Sequence, residues 1–337
     1  MNILVTGATG FLGGSLARSL AADGHAVTGL GRSEQAGAEL ERGGIRFARA
    51  ELADREAILA AVADGAFDLV YHCGAHSASW GDTAIFEAAN IRGTANIADG
   101  CLRADVPRLV HVSTPSVYFG ARDRTGVRES DPLPARQSGT YARTKLAAEC
   151  EILRAAEAGL GTIMLRPRAL YGPGDTSILP RIVEANGRTG VPLIGGGRAL
   201  LDLTYIDDAV RALKLCASAP PEALGRVFNI SGGAPVPFAE AARLLFDKLD
   251  RPLRARKLPF AAARAAALAM ESAARLGLTR GEPMLTAPLV GMLGRSQTLN
   301  IDAAREVLGY RPRIRLEDGL ERFARWWYAR EEERRDE

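Results

Sequence analysis

The chain has 337 residues, of which 47% are hydrophobic and 25% are charged, and its formal net charge at pH 7 is +3. Such a chain can bury a large core, so we expect one elaborated domain or one domain with a smaller lobe. The charge is small and is spread along the chain apart from a basic patch at residues 251–257, which argues against nucleic-acid binding.

The four cysteines are far apart and form no Cys-x-x-Cys pair. We therefore expect reduced, buried thiols and assign no disulfide to Cys73, Cys101, Cys150 or Cys216. The N-terminal run has no basic region ahead of an apolar stretch, so a signal peptide is not expected. These features predict a cytoplasmic protein.

The stretch MNILVTGATGFLGG carries the first functional pattern. Residues 2–6 have the composition of a short buried strand, and residues 11–20 have the apolar spacing of a helix. The glycines between them permit a tight turn, the close approach of a pyrophosphate to the backbone, and close packing of the helix on the strand. The phosphates would bind free N–H groups at the helix N-terminus, the alternative being an ordinary glycine-rich turn. The predicted cofactor contacts here are Gly7, Thr9, Gly10, Phe11, Leu12 and Gly13.

The second predicted strand, at residues 26–30, ends at Gly31-Arg32-Ser33 and has no acidic residue at its tip. In a dinucleotide-binding fold an acid at this point binds the adenosine ribose and selects NAD. Arg32 can instead pair with a 2′-phosphate, with a further hydrogen bond from Ser33. We therefore favour NADP over NAD; the alternative is that Arg32 is a solvated surface residue.

Helices and strands then alternate, with helices at residues 34–42 and 55–63 and strands at 45–48 and 67–72. This alternation predicts an α/β fold, a Rossmann-type doubly wound parallel sheet. Small residues follow the strand at 67–72, where the backbone must lie close to a ligand. The predicted cofactor contacts in these loops are Leu52, Cys73, Gly74 and Ala75.

Two histidines, His72 and His76, lie four residues apart. Because His72 sits at a strand end and no third ligand lies nearby in the sequence, we expect no metal site. A structural or pocket-lining role is the favoured interpretation of both.

The pair Tyr141 and Lys145 opens a predicted helix at residues 138–158, and residues four apart share one helix face. A neighbouring ammonium would lower the pKa of the Tyr141 phenol, ordinarily near 10, and so favour proton exchange. Tyr141 would then exchange a proton with a carbonyl or alcohol oxygen while hydride moves to or from nicotinamide. Thr114, after a predicted strand at residues 108–113, would hydrogen-bond the same oxygen.

At this point the chain resembles the extended short-chain dehydrogenases/reductases along nearly its whole length. The motifs that carry the resemblance are Gly7-x-x-Gly10-x-x-Gly13, Ser113-Thr114, Tyr141-x-x-x-Lys145 and Leu165-Arg166-Pro167. Within that family, four stretches look most like the 3β-hydroxysteroid dehydrogenase-like branch, which includes sterol dehydrogenases and bacterial reductases of 2-alkyl-3-oxo acids. These stretches are residues 113–117, 171–175, 201–208 and 308–310.

The resemblance implies that Thr114, Tyr141 and Lys145 are the catalytic residues. It also implies that Lys145 holds the nicotinamide ribose, and that Ser113 and Pro167 lie against the cofactor. The family often has serine where this chain has Thr114, and threonine keeps the hydroxyl group. A homodimer is a further expectation from the family.

Nucleotide-sugar epimerases and dehydratases of the same superfamily supply the alternative function. Relatives that resemble UDP-galactose epimerase carry an asparagine after the sixth strand, and residues 166–170 contain none. A dehydratase would usually have an Asp-Glu pair after the catalytic threonine, where this chain has Pro115-Ser116. Arg168 and Arg198 remain candidates for anion binding or for structural pairing.

The C-terminal portion is expected to form a smaller substrate lobe. We predict a cofactor domain at residues 1–170, with residues 201–232 contributing to its sheet region, and a lobe from residues 171–200 and 233–330. Within the lobe, a strand at 296–299 is expected to return to the sheet. Residues 331–337 are expected to form a frayed, charged tail, as is the preceding Arg330.

An alanine-rich helix is predicted at residues 259–276, with Arg264, Glu271 and Arg275 on one stripe. Its charges argue against a transmembrane span. We expect it to pack on the core or to cover an apolar pocket, in preference to peripheral membrane contact beside residues 251–257.

Together these patterns predict an enzyme that interconverts a secondary alcohol and a ketone with NADP(H), or with NAD. The substrate would be a small apolar 3-hydroxy or 3-oxo compound, steroid-like or a 2-alkyl-3-oxo acid. A protein that binds NADP as a sensor without turnover is the non-enzyme alternative, which the presence of Tyr141, Lys145 and Thr114 disfavours.

Overall fold

The computed structural model describes residues 1–118, 120, 122–279 and 281–336. The strands in chain order are β1 (Asn2–Thr6), β2 (Ala26–Gly31), β3 (Arg46–Arg49), β4 (Leu69–His72), β5 (Arg108–Val112), β6 (Arg124–Val127), β7 (Gly161–Pro167), β8 (Leu170–Tyr171), β9 (Val191–Ile194), β10 (Leu200–Leu201), β11 (Thr204–Tyr205), β12 (Arg226–Ile230), β13 (Val236–Pro237), β14 (Ala255–Leu258) and β15 (Gln297–Leu299).

The α-helices are α1 (Phe11–Ala22), α2 (Glu34–Arg42), α3 (Arg55–Ala63), α4 (Thr83–Phe86), α5 (Gly93–Arg103), α6 (Thr140–Glu157), α7 (Leu179–Arg188), α8 (Ile206–Ala217), α9 (Phe238–Lys248), α10 (Phe260–Arg275), α11 (Ala287–Gly294), α12 (Asp302–Val307) and α13 (Leu316–Asp336). A π-helical segment, Glu87–Arg92, joins α4 to α5.

The main sheet has seven parallel strands in the order β12-β7-β5-β4-β1-β2-β3. The predicted Rossmann-type α/β fold is confirmed. The strand order reverses between β1 and β4, and ligands of such sheets bind in the crevice at the carboxyl ends of the strands at this point. The glycine turn after β1 and the small residues after β4 meet there.

Both faces of the sheet are buried, as a parallel sheet requires. In β1, Ile3 and Val5 belong to the hydrophobic core on one face, whereas Leu4 belongs to the core on the other. This follows from the two-residue period of a strand. Helices packed on both faces therefore fix the positions of the strand ends that form the site.

A third hydrophobic core lies in the C-terminal half, around α7, α9, α11 and α13. Short strands form two separate two-stranded sheets here: β11 pairs with β8, and β9 pairs with β14. Strand β12 is one edge strand of the main sheet, and β3 is the other. The predicted contribution of residues 201–232 to the sheet region stays a prediction.

The expectation that residues 296–299 return to the main sheet is wrong. Strand β15 instead joins a small sheet with β6, β10 and β13. Its partner β6 lies in a loop rich in charges and prolines, where no strand was predicted. The side chain of Asn229 links the two sheets, because its Nδ2 donates to the carbonyl of Val127 at 3.0 Å.

The predicted frayed tail is also wrong, since α13 continues to Asp336; Glu337 lies outside the described residues. Two contacts hold Glu331. Arg251 donates to its carboxylate, and Trp327 Nε1 donates to its Oε1 at 2.9 Å. Arg251 of the basic patch thus forms an ion pair with Glu331, in the segment that the sequence pattern assigned to solvent.

Among the described residues, no helix has both the length and the apolar character needed to span a membrane. Helix α10 buries only a narrow stripe, made of Ala263, Ala267 and Glu271. Arg264 and Arg275 are exposed beside it. The expected common face of the three charged residues is therefore present, and it faces a cavity described below.

Candidate active site

The glycine turn brings the backbone of β1 and α1 so close to its neighbours that side chains would collide. Gly7 has a φ of +67°, and a Cβ there would lie 2.7 Å from the Cα of Gly74. A Cβ on Gly13 would lie 2.3 Å from the carbonyl oxygen of Gly7. Helix α1 has no side-chain cap at Gly10. The first N–H groups of α1 have no partners within the helix. The residues that carry them line a cavity of about 1290 Å³.

This cavity, called the first cavity below, brings together predicted residues from segments that are far apart in the sequence. It is lined by all of the predicted cofactor and catalytic residues except Ser33: Gly7, Thr9, Gly10, Phe11, Leu12, Gly13, Arg32, Leu52, Cys73, Gly74, Ala75, Ser113, Thr114, Tyr141, Lys145 and Pro167. The cradle left by Gly7 and Gly13 suits a pyrophosphate, and the residues after β5 and in α6 lie along the same cavity. The residues present therefore fit a dinucleotide.

The predicted 2′-phosphate contacts differ from each other. The Arg32 side chain is 68% exposed at the cavity rim, 3.4 Å from a carboxylate oxygen of Glu51. Ser33 is the N-cap of α2, and its hydroxyl accepts a hydrogen bond from the Ala36 N–H at 3.3 Å. Its oxygen is thus already used in the helix cap, which leaves Arg32 as the better placed of the two.

Thr114, Tyr141 and Lys145 are brought together from β5 and α6. Thr114 and Tyr141 both line the first cavity, and the Thr114 hydroxyl donates to Ser116 Oγ at 3.1 Å. The Thr114 hydroxyl also accepts from the Ser116 N–H at 3.2 Å, which fixes its orientation. Thr114 and Tyr141 thus contribute two hydroxyl-bearing side chains to the lining of the first cavity.

The predicted lowering of the Tyr141 pKa is wrong for this arrangement. Burial raises the pKa of Tyr141, and the hydrogen bond with Thr114 offsets only part of that effect. The reason is the direction of Lys145, whose Nζ donates to the carbonyl of Val112 at 2.7 Å and lies 3.2 Å from His111 Nε2. The ammonium group of Lys145 therefore interacts with the end of β5, and it does not stabilise the ionised form of the Tyr141 phenol.

Lys145 is itself strongly perturbed. It is 1% exposed, and burial lowers its pKa to about 8, although the charge of Glu149 acts in the opposite direction. Burial also lowers the pKa of His111 well below its usual range, so the imidazole is neutral and accepts from the ammonium. The result is a buried cation with neutral partners.

This perturbation predicts a pH-dependent stability. The folded-state pKa of about 8 lies below the ordinary lysine value of 10.5, so the unfolded chain binds more protons between these two pH values. The free energy of unfolding of the wild type relative to Lys145→Met is expected to rise across this window by about 1.4 kcal/mol per pH unit, and to be flat below it. Urea unfolding of both proteins at a series of pH values measures this, and parallel curves would contradict it.

A buried ionic cluster that the sequence analysis did not identify supports α6. Glu149 and Arg166 form an ion pair in which both side chains are at least 95% buried, with Arg166 Nε donating to Glu149 Oε1 at 2.8 Å. Arg166 also donates to the hydroxyl of Tyr118. Ser113 donates its hydroxyl to Glu149, so the side chain predicted to contact cofactor is committed to this cluster. The available signal was the position of Glu149, one helical turn after Lys145.

Asn90 also has a role that the sequence pattern did not reveal. It lies in the π-helical segment, which is often found at functional sites. Its side chain bonds both backbone groups of His76, at 2.7 and 3.1 Å, and donates to Thr144 Oγ1 at 3.0 Å. Asn90 therefore ties the loop after β4 to the helix that carries Tyr141.

The two predicted histidines take separate positions. His72 is fully buried between Thr6, at 2.7 Å, and Thr94, at 2.9 Å, and burial lowers its pKa to about 3. His76 lines the first cavity and packs edge-on against Phe86. Within the described part of the chain, no group of three or more potential His, Cys, Asp or Glu ligands is found.

Of the two arginines considered for anion binding, only Arg168 lines the first cavity. It is buried, which lowers its pKa to about 10, while the charge of Asp202 acts in the opposite direction. Arg198 is exposed and lines neither this cavity nor the second one described below. Arg198 is therefore not placed to bind an anion at this site.

Apolar side chains line part of the first cavity. Those from α7, α11 and the loop before α11 form the apolar wall: Ile178, Ile182, Ala185, Met284, Leu285, Leu289, Met292 and Leu293. Charged side chains of the same region also line the cavity, namely Arg181, Glu184, Arg188 and Glu282. The glycine turn, Thr114 and Tyr141, and the apolar wall thus line one cavity.

The parallel sheet and its glycine turn define a dinucleotide-binding protein of the Rossmann type. The family model described as "NAD dependent epimerase/dehydratase family" matches residues 3–231, and the chain belongs to this family. A UDP-glucuronic acid 4-epimerase from Bacillus cereus, solved with UDP-glucuronic acid and NAD, has a similar fold: the TM-score is 0.78 at 23% identity, over 98% of this chain and 99% of the other.

Two curated relatives narrow the reaction class. A 2-alkyl-3-oxoalkanoate reductase from Stenotrophomonas maltophilia is 37% identical over 328 residues, 96% of this chain and 98% of the relative. A decarboxylating sterol-4-alpha-carboxylate 3-dehydrogenase from Schizosaccharomyces pombe is 33% identical over 249 residues, 72% of each chain. The predicted resemblance to the 3β-hydroxysteroid dehydrogenase-like branch is confirmed, as is the prediction of an NAD(P)-dependent oxidoreductase.

Proposed function

We propose that the chain interconverts a 3-oxo acid bearing apolar chains and the corresponding 3-hydroxy acid, with NADP(H) as the cofactor. The observation that carries this proposal is that one cavity is lined by the glycine turn, by Thr114 and Tyr141, and by the apolar wall. The names of the two curated relatives support it, because both describe substrates with a carboxylate and a carbon that is oxidised or reduced. A 2-alkyl-3-oxo acid has a carbonyl oxygen for the two hydroxyl groups and apolar chains for the apolar wall.

In the proposed reaction the nicotinamide, when bound, supplies or accepts hydride. Tyr141 donates a proton to the substrate carbonyl oxygen in reduction and removes it in oxidation, and Thr114 hydrogen-bonds the same oxygen. The Lys145 ammonium would bind the ribose next to nicotinamide, and Pro167 would contact the cofactor. The raised pKa of Tyr141 keeps its phenol protonated, which suits the reducing direction.

The preference for NADP rests on the end of β2. A Cβ on Gly31 would lie 2.7 Å from the side chain of Thr9, so this position leaves no room for the acid that selects NAD. Arg32, the next residue, presents a largely exposed guanidinium at the cavity rim. Its contact with Glu51 is long and solvent-exposed, so a 2′-phosphate can replace it at little cost.

Arg32→Ala is expected to raise the KM for NADPH by about 10- to 100-fold, because it removes a charge-assisted contact, and to leave the KM for NADH nearly unchanged. Steady-state kinetics with both cofactors test this. Arg103→Ala, which removes an exposed arginine paired with Asp99, is the matched control. An equal change for NADPH and NADH would contradict the assignment of Arg32.

The nucleotide-sugar alternative is less favoured. Residues 166–170, the region in which related epimerases carry an asparagine, contain none. Arg198, one of the two arginines considered for a diphosphate, is exposed away from the cavity. The structural likeness to sugar-nucleotide enzymes concerns the fold.

The division into a cofactor domain at residues 1–170 and a substrate lobe at 171–200 and 233–330 is part of this proposal. The separate hydrophobic core around α7, α9, α11 and α13 supports it, as does the supply of the apolar wall by α7 and α11. A cytoplasmic location and a homodimer stay predictions from the sequence.

Deuterium transfer tests the proposed reaction. NADPH labelled with deuterium on the nicotinamide C4, incubated with a 2-alkyl-3-oxo acid, is expected to yield a 3-hydroxy product labelled at C3. Mass spectrometry locates the label. The absence of C3 label in the presence of cofactor binding would overturn the proposed function.

A further inference from the structure

We propose that a second cavity, on the other side of Tyr141, binds the carboxylate of the substrate, with Arg295 as its principal ligand. This inference rests on the proposed function and names the group that would select acids over neutral ketones. The second cavity has a volume of about 750 Å³ and lies between the loop around Trp80, the N-terminal turn of α6, and α10.

The two cavities share part of their lining around Tyr141. Both are lined by the same four residues at the start of α6, namely Ser138, Gly139, Thr140 and Tyr141. In a 3-oxo acid the carboxylate is separated from the carbonyl carbon by one carbon atom. A carbonyl oxygen at Tyr141 therefore places the carboxylate at this junction, while apolar chains extend along the wall of the first cavity.

The charge of the second cavity favours an anion. Among the described residues that line it there is one carboxylate, Glu271, which accepts a hydrogen bond from the Ala287 N–H at 2.7 Å. Five arginines line the same cavity: Arg122, Arg124, Arg264, Arg275 and Arg295. A cavity with this excess of guanidinium groups suits a carboxylate, whose geometry matches the guanidinium fork.

Two of these arginines already have close neighbours. Arg124 Nη1 donates to the carbonyl of Pro132 at 3.0 Å. Arg275 lies 3.8 Å from Glu271 and stacks over Trp80, with 71% of its side chain exposed. Neither arginine therefore offers its full charge to a ligand.

Arg295 is held in place, but one of its donor atoms has no hydrogen-bond partner among the described residues. Its guanidinium stacks on the ring of Phe260 at 4.2 Å, which fixes its plane. Asp123 is 3.8 Å away, beyond hydrogen-bonding distance, and its side chain is half exposed. The Nε of Arg295 is buried and has no hydrogen-bond partner among the described residues. Buried polar atoms nearly always find one, so an acceptor is expected here.

Gln297 gives a second, independent sign of a ligand. It lines the second cavity and is 2% exposed, and its Nε2 donates to the carbonyl of Pro115 at 3.3 Å. Its Oε1 is buried without a partner in the described part of the structure. A bound carboxylate with one associated water would supply an acceptor for Arg295 and a donor for Gln297.

The arginines of the first cavity are less suited to this role. Arg181 is paired with Glu282 at 3.2 Å, and Arg188 with Glu184 at 3.0 Å. The charge of Asp202 acts on the buried Arg168.

The second cavity also explains the stripe of charged residues that the sequence predicted on α10. Arg264, Glu271 and Arg275 all line this cavity.

The test compares an acid with its neutral ester. The holoenzyme, Arg295→Met and Arg295→Lys are assayed with NADP⁺ and a 2-alkyl-3-hydroxy acid or its methyl ester, by the appearance of reduced nicotinamide. Arg295→Met is expected to raise the KM for the acid by about 10- to 100-fold and to leave the ester unchanged, with Arg295→Lys in between. Arg243→Met, which removes an exposed arginine paired with Asp247, is the matched control and should change neither.

The outcomes separate the two proposals. If the wild type oxidises the acid but Arg295→Met changes acid and ester equally, or changes neither, the carboxylate site is overturned and the proposed function stands. If the wild type oxidises neither compound, the proposed function falls and the carboxylate site falls with it. Should Arg295→Met fail to fold, Arg295→Lys decides: an unchanged ratio of acid to ester KM overturns the site.

Discussion

Tyr141→Phe is expected to lower kcat by about 100- to 10,000-fold, because it removes the hydroxyl that exchanges a proton with the substrate oxygen. The substitution leaves the aromatic ring in the first turn of α6, and the glycine turn is untouched. The affinity for NADPH is therefore expected to stay within about threefold of the wild type. Single-turnover kinetics measure the loss, and cofactor fluorescence measures the binding.

Tyr328→Phe is the matched control. It also removes a tyrosine hydroxyl, one that donates to the carbonyl of Leu249, and Tyr328 lines neither cavity. It should retain full activity. A Tyr141→Phe protein that keeps both NADPH binding and activity would contradict the role of the phenol, and a wild type that binds NADPH but turns over no substrate would favour a sensor.

Glu149→Gln is expected to lower the free energy of unfolding by about 3–5 kcal/mol, because it leaves the Arg166 guanidinium buried without a counter-charge. Both side chains are at least 95% buried, so solvent cannot substitute for the lost carboxylate. Because Ser113 also donates to Glu149, the loop that leads to Thr114 should loosen at the same time. Urea unfolding measures the change in stability.

The control for this pair is on the surface. Asp247→Asn removes the carboxylate partner of Arg243 from an ion pair in which both side chains are more than half exposed, and it should cost no more than about 1 kcal/mol. The double variant Glu149→Met with Arg166→Met is expected to be more stable than Glu149→Gln, since it removes both charges. Similar losses for Glu149→Gln and Asp247→Asn would show that the buried cluster does not support α6.

The local patterns that could be read from the sequence are those with a short-range cause. The glycines at positions 7, 10 and 13 follow an apolar run and precede a helical one, so the turn and its ligand chemistry are encoded within fourteen residues. Helix α6 begins within two residues of its predicted start, and the spacing of Tyr141 and Lys145 places both at the cavity. Alternation of short strands and helices then determines the parallel sheet.

What the sequence did not reveal depends on contacts between distant segments. The direction of the Lys145 ammonium is set by Val112 and His111 on a neighbouring strand, and this reverses the expected effect on the Tyr141 pKa. The use of Ser113 by Glu149 also requires tertiary packing. The extension of α13 depends on the contact of Glu331 with Arg251, eighty residues earlier in the chain.

The most direct test of the account is nicotinamide absorbance over time, with NADPH and NADH in parallel, against 2-alkyl-3-oxo acids, 3-oxo steroids, and UDP- or dTDP-sugars. We expect the protein to consume NADPH with an apolar 3-oxo substrate, and Tyr141→Phe to lose that activity. Conversion of a nucleotide sugar without net change in cofactor, with no ketone consuming either cofactor, would contradict it.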